Sequence, residues 1–203
     1  MTQTDQTSHA RLFVVSGPSG SGKTSLCRIV AKRCPDLYLS VSATTRGPGR
    51  NEVAGRDYLF LDHEEFHRRI KNNEFLEYAQ VFDNYYGTPA GPVQRELDAG
   101  RNVILEIDIQ GAIQVFAARP DAVGILVLPP SDEELARRLR ERRRDDDKTI
   151  AKRLAKANTE IRLAQEAGRY QHTIINQNLD QAADELQRLV ASDRRQCPAG
   201  KTC

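Results

Sequence analysis

Residues 17–24 read GPSGSGKT, a G-x-x-x-x-G-K-T spacing in which each residue type has a chemical use. Glycines let the backbone turn so that successive N–H groups point inward and surround an anion. A helix starting at the lysine adds the positive end of its dipole. Lys23 would reach the outer phosphates of a nucleoside triphosphate, and the Thr24 hydroxyl would be a ligand for Mg²⁺. The flanks suit this reading. An apolar, β-branched run from Leu12 to Ser16 precedes the loop, and KTSLCRIVAKRC follows with Leu26, Ile29 and Val30 at helical spacing. Gly17, Pro18, Ser19, Gly20, Ser21, Gly22, Lys23 and Thr24 are therefore candidate ATP-binding residues. A phosphate donor alone leaves the acceptor unnamed.

The elements that must hold this loop alternate. Apolar strands are expected at 11–16, 102–108, 123–129 and 172–176, and helices at 23–34, 91–99, 110–118, 131–143, 147–167 and 179–191. Ser131 with Glu134 forms a capping box at one helix start. The alternation gives an α/β fold with a central parallel sheet flanked by helices. Residues 40–90 break the rhythm with a Gly/Pro-rich loop and further strands, read as a small β-rich insertion. Residues 137–153 break it again with a charged hairpin between two helices.

Composition bounds the rest. The 203 residues carry 30 basic and 28 acidic side chains, so a net charge of +2 favours no polyanionic partner. No run reaches the length of a membrane span. The polar start MTQTDQTSHA lacks the apolar stretch of a secretory signal and reads as a disordered leader. The four cysteines, Cys27, Cys34, Cys197 and Cys203, form no C-x-x-C pair, which suits a reduced, cytoplasmic chain. A disulfide closing the tail is the alternative.

Several pieces in order, GPSGSGKT, SVSATTRGP, NEVAGRDYLF, NNEFLEYAQV, NYYGTP, LEIDIQGA, LPPS and KRLAKANTE, resemble the guanylate kinase family from residue 11 to about 191. The resemblance implies a P-loop nucleotide kinase with a β-rich nucleotide-binding insertion and a helical lid. It implies transfer of a phosphoryl group from Mg-ATP to GMP or dGMP. The implied layout is a leader at 1–10, P-loop core at 11–39, GMP-binding insertion at 40–92 and core at 93–130. The lid and its flanking helices follow at 131–169, then core at 170–191 and a tail at 192–203.

The family match assigns guanine recognition to Glu77, with Ser42 and Thr88 beside the base. A carboxylate can accept from guanine N1–H and the exocyclic amine together, whereas adenine offers no such donors. Glu106 and Asp108 match acidic positions near base and metal, with Asp108 and Thr24 as the metal pair. Arg46, Tyr58 and Tyr86 match the acceptor-phosphate clamp, and an arginine fork fits phosphate oxygens bidentately. Arg138, Arg142 and Arg153 match lid arginines that stabilise the moving phosphoryl group, alongside Lys23 and Arg46. Asn176 matches a position near the adenine. No general base is required, because the acceptor phosphate is largely dianionic at neutral pH.

One departure falls in the clamp. The family pattern T-T-R-x-P-R-x-G-E is here TTRGPGRNE, with Gly49 in place of an arginine and Arg50 beside it. Gly49 would give the loop freedom to re-aim Arg50 into the missing role. A kinase for another phosphorylated acceptor and a non-catalytic module of the same type are the competing readings.

Two further motifs have plainer explanations. RRLRERRRDDD, at 137–147, reads as a solvated lid segment, so no nucleic-acid or membrane partner is expected. HEEFH, at 63–67, has the zinc-site spacing. Asp62 as N-cap and Phe66 with Ile70 as an apolar face make it an amphipathic helix instead. A monomer or small homo-oligomer is expected.

Overall fold

A computed structural model describes residues 10–81, 83–141 and 147–192. In chain order the elements are β1 (Leu12–Ser16), α1 (Lys23–Arg33), β2 (Leu37–Leu39), β3 (Ala43–Thr44), β4 (Leu59–Phe60) and α2 (His63–Lys71). Then come β5 (Phe75–Val81), β6 (Asn84–Pro89), α3 (Ala90–Asp98), β7 (Asn102–Glu106) and α4 (Ile109–Ala118). The last are β8 (Val123–Leu128), α5 (Asp132–Glu141), α6 (Asp147–Ala167), β9 (Tyr170–Ile175) and α7 (Leu179–Ser192).

Five strands form a parallel sheet in the order β2-β7-β1-β8-β9. The apolar run of β1 shows why its sequence does not alternate with polar residues. Phe13 and Val15 face one layer with Leu26 and Val30 of α1 and Leu186 of α7. Leu12 and Val14 face the other, with Val93 of α3 and Val115 and Phe116 of α4. Successive side chains point to opposite faces, and both faces are covered, so Leu12 to Val15 are all apolar. Each such side chain contributes about 1.5–3 kcal/mol through burial.

The second sheet, β4-β3-β6-β5, is built from residues 43–89 and stands apart from the first. β5 and β6 form an antiparallel hairpin with Glu77 opposite Thr88. On it lies α2, where Asp62 accepts the Glu65 backbone N–H at 2.7 Å as an N-cap. Phe66 of α2 is fully buried and stacks on Phe75 at 4.5 Å. His63 and His67 both set their rings edge-on to Tyr85, at 6.0 and 4.8 Å. The HEEFH histidines thus pack an aromatic cluster.

Some expected boundaries shift for physical reasons. The strand expected over 102–108 ends at Glu106, because Asp108 turns out of the sheet and caps α4 by accepting the Gly111 N–H at 2.8 Å. Just before the insertion the chain splits its strands between two sheets, β2 joining the core and β3 the insertion. Ser131 does cap α5, accepting the Glu134 N–H at 3.2 Å. Cys27 and Cys34 are free thiols, whereas the tail cysteines lie outside the described residues. Among the described residues no helix is long and apolar enough to cross a membrane.

Candidate active site

The phosphate loop leaves β1 at the carboxyl edge of the parallel sheet, where α/β folds place their ligands. Its glycines are required by what surrounds them. A Cβ at Gly17 would stand 2.1 Å from the Val127 carbonyl oxygen, and one at Gly20 would be 2.7 Å from Leu135 Cδ1. Gly22 has φ 94° and stands at the N-cap of α1 without any side-chain cap. Among the described residues no side chain caps this end of α1, and such an open helix start is the arrangement that binds anions. A hollow of about 120 Å³ lies here, lined by Ser19, Gly20, Gly22, Lys23, Thr24 and Ser25.

Lys23 Nζ donates to the carbonyls of Gly17 at 2.6 Å and Pro18 at 3.1 Å, arching over the loop. Burial lowers its pKa, while Glu106, Glu160 and Asp108 push it back up. The Thr24 hydroxyl donates to Glu106 Oε1 at 2.6 Å. Burial raises the Glu106 pKa, opposed by that hydrogen bond and by Lys23. Sequence matching paired Thr24 with Asp108 for the metal. The geometry sets Glu106 against Thr24, while Asp108 serves the α4 N-cap.

A larger cleft of about 590 Å³ opens between α1 and the insertion, with Thr24, Arg28, Ser42, Asp57, Tyr58 and Glu106 among its walls. Thr24 lines both spaces, so the loop's hollow and the cleft meet there. Arg28 of α1 pairs with Asp57 of the insertion at 2.6 Å, spanning the cleft.

Arg46, Tyr58 and Tyr86 come together on the insertion. The Arg46 guanidinium lies 5.4 Å from the Tyr58 ring centre, and the Tyr58 and Tyr86 rings meet edge-on at 6.2 Å. Glu52 holds the group. Both its oxygens accept from Arg46 Nη2, at 2.8 and 2.9 Å, and Oε2 also accepts the Gly49 N–H at 2.7 Å. Gly49 does not use the left-handed backbone region that glycine permits. Arg50 stands exposed on the same turn.

Glu77 is only 6% exposed, and the fully buried Thr88 hydroxyl donates to its Oε1 at 2.6 Å. Its pKa is raised to about 7, chiefly by loss of hydration; the Thr88 bond opposes this and the Asp108 charge adds to it. A carboxyl poised there can change charge near neutrality.

Behind the phosphate loop, Arg138 of α5 donates to the Asn176 backbone carbonyl at 2.7 Å and to Glu134 at 2.8 Å. The Asn176 side chain is 3% exposed and donates to the Ser21 carbonyl at 2.7 Å, which places it behind the phosphate loop rather than on an open face. Arg153 is half-buried on α6. Arg142 lies outside the described residues.

Four residues stand out that motif reading passed over. Glu52 closes the quoted TTRGPGRNE stretch, so its signal was present but had no assigned partner. The Arg28–Asp57 pair has no local signal, because its members belong to different layers. Glu160, half-buried on α6, lies close enough to Lys23 and Asp108 to feel both charges, and burial raises its pKa.

A parallel sheet with a phosphate loop after its central strand, and a second sheet facing it across a cleft, define a P-loop nucleoside-monophosphate kinase, a phosphotransferase. The family model described as guanylate kinase matches residues 9–193. On that match the chain belongs to the guanylate kinase family. It is 47% identical over 184 residues to a guanylate kinase of Paramagnetospirillum magneticum, covering 90% of this chain and 85% of that one. It is 46% identical over 182 residues to one of Synechococcus elongatus, covering 90% and 98%. The crystal structure of guanylate kinase from Anaplasma phagocytophilum superposes with a TM-score of 0.75 at 31% identity, covering 93% of this chain and 88% of that one.

Proposed function

We propose that this chain transfers the γ-phosphoryl group of ATP to GMP, giving ADP and GDP. The observation that carries the reading is the meeting of two spaces at Thr24, a donor cradle in the phosphate loop and an acceptor cleft under the insertion. In-line transfer needs the two phosphates end to end, and little covalent chemistry from the protein.

In this reading Lys23 and the loop N–H groups hold the donor phosphates, and Arg46, Tyr58 and Tyr86 hold the acceptor phosphate, with Ser42 beside the base. Glu77 in its ionised form accepts from guanine N1–H and the amine, and Thr88 keeps that carboxylate in place. Arg138, Arg142 and Arg153 offset charge on the transferring group. Asn176 supports the loop that does the holding.

The hard oxygens of Thr24 and Glu106, 2.6 Å apart, fit a magnesium ion, which takes few protein ligands and completes its shell with phosphate and water. When bound, that ion would neutralise phosphate charge. Glu106 is drawn into this role from the acceptor side, and Asp108 belongs to the α4 terminus beside Glu77.

The test is a coupled ADP-release assay with Mg-ATP and GMP, dGMP, AMP or UMP, run on the parent and on Lys23→Ala. Turnover selective for GMP that disappears without Lys23 is the expected result. Release driven by another phosphorylated acceptor, with none on GMP, would overturn the reading.

A further inference from the structure

Glu77 belongs to β5, an edge strand of the insertion sheet. Helix α4, which belongs to the core, meets β5 at two positions three residues apart on one helix face, Gly111 and Gln114. A Cβ on Gly111 would lie 2.6 Å from Glu77 Oε2 and 3.0 Å from its Cδ, closer than packed atoms allow. One turn further on, Gln114 offers both ends of its amide to a single residue's backbone. The Tyr78 N–H donates to Gln114 Oε1 at 3.3 Å, and Gln114 Nε2 donates to the Tyr78 carbonyl at 3.0 Å. A side-chain amide thus fills the place that a neighbouring strand would take at this edge.

The remaining contacts close the frame. Thr88 holds the other Glu77 oxygen from β6. Asp108 accepts the Gly111 N–H, a bond that any residue but proline could make at 111, so capping does not explain a glycine there. Glycine is a poor helix former, and a first-turn position gains nothing from it except room.

We infer that Gly111 and Gln114 form a seat on α4 that sets where the Glu77 carboxylate stands, which makes them positioning residues that determine guanine specificity. The inference rests on the reading of Glu77 as the guanine-recognising group. Gly111 gives the carboxylate its space, and Gln114 fixes the strand that carries it. Neither touches the donor site, so their effect belongs to the acceptor alone.

The experiment is steady-state kinetics with GMP and IMP as acceptors on Gly111→Ala, Gln114→Leu, Glu77→Gln, Glu77→Asp and the Gly111→Ala/Glu77→Asp pair. IMP keeps N1–H but lacks the exocyclic amine, so the GMP:IMP ratio reads the aim of the carboxylate. Gly111→Ala is expected to raise the KM for GMP by about tenfold and lower the GMP:IMP preference, with the KM for ATP unchanged. Gln114→Leu, at an exposed position, is expected to do the same by about threefold, and it keeps the test available if Gly111→Ala does not fold. In the Glu77→Asp background, whose carboxylate is withdrawn from the glycine, the Gly111→Ala penalty should fall below about twofold. A raised GMP KM in Glu77→Gln with none in Gly111→Ala and Gln114→Leu overturns the inference alone. A GMP KM unmoved in Glu77→Gln overturns the reading of Glu77 and the inference with it. A parallel rise in the ATP KM, uncoupled from Glu77→Asp, marks general damage and also overturns it.

Discussion

The Thr88 hydroxyl donates to Glu77 Oε1 at 2.6 Å across directly paired positions of β5 and β6. That bond favours the ionised carboxylate, yet burial outweighs it and leaves the pKa at about 7. With Glu77 in its proposed role, guanine binding by the carboxylate form should strengthen as pH rises through about 7. We expect kcat/KM for GMP to climb over that range, beyond the rise due to the acceptor phosphate's own second pKa of about 6. The upper of the two steps should vanish in Glu77→Gln, as pH–rate profiles would reveal.

The same group links pH to stability with the opposite sign. Its folded pKa is raised from 4.5, so the fold favours the protonated form. The stabilisation is complete below about 4.5 and is lost as pH rises through about 7, amounting to on the order of 3 kcal/mol. Glu77→Gln should melt higher than the parent at pH 8 and close to it at pH 4.5. Thermal melts at the two pH values check this.

Glu52 links Arg46 to the Gly49 N–H, and so orients the arginine proposed to clamp the acceptor phosphate. Glu52→Gln should raise the KM for GMP about fivefold and leave the KM for ATP unchanged. Arg46→Ala should cost far more than Arg50→Ala, which we expect to stay within about threefold because Arg50 stands exposed. Acceptor titrations of the three variants would rank them. An Arg50 effect equal to that of Arg46 would show that both arginines grip the phosphate.

Asn176 holds the Ser21 carbonyl from behind the loop at 2.7 Å. Asn176→Ala leaves a buried carbonyl unpaired at a cost of about 1–3 kcal/mol. The effect should fall on the donor, with a KM for ATP raised about tenfold and GMP binding little altered. Calorimetric titration of each nucleotide separately would distinguish the two.

Phe66 fills the interior of the insertion between Phe75 and Tyr85. Phe66→Ala should cost about 3–5 kcal/mol, felt mainly by the insertion. Amide exchange should accelerate in β5 and β6 while β1 and β7 remain protected, and GMP affinity should fall before ATP affinity does.

The sequence made legible what is written in short range. The phosphate loop, the two-faced apolar strands and the Asp62 and Ser131 caps each depend on neighbours within a few residues. Asn176 and Ser21 are 155 positions apart, and no local pattern announces that such a pair will meet. Asp108 was expected to end a strand because the apolar run of β7 continues into Ile107; its capping of Gly111 decides otherwise. The division of β2 from β3 was hidden for a related reason, since pairing partners and not propensity choose the sheet. At Gly49 the loop is shaped by the Glu52 carboxylate three residues on, and not by a positive φ.

The strand order β2-β7-β1-β8-β9 also dictates a sequence of events in time. β1 is made early, but its partners β7 and β8 follow only after the whole insertion; Arg11 and Asn102, which join across that gap, are 91 positions apart. The β5–β6 hairpin needs only its own residues to pair. On a chain emerging from the ribosome the hairpin can close while β1 still has both edges bare, since local pairings form before distant ones. The phosphate loop, among the first segments synthesised, is thus among the last to be assembled.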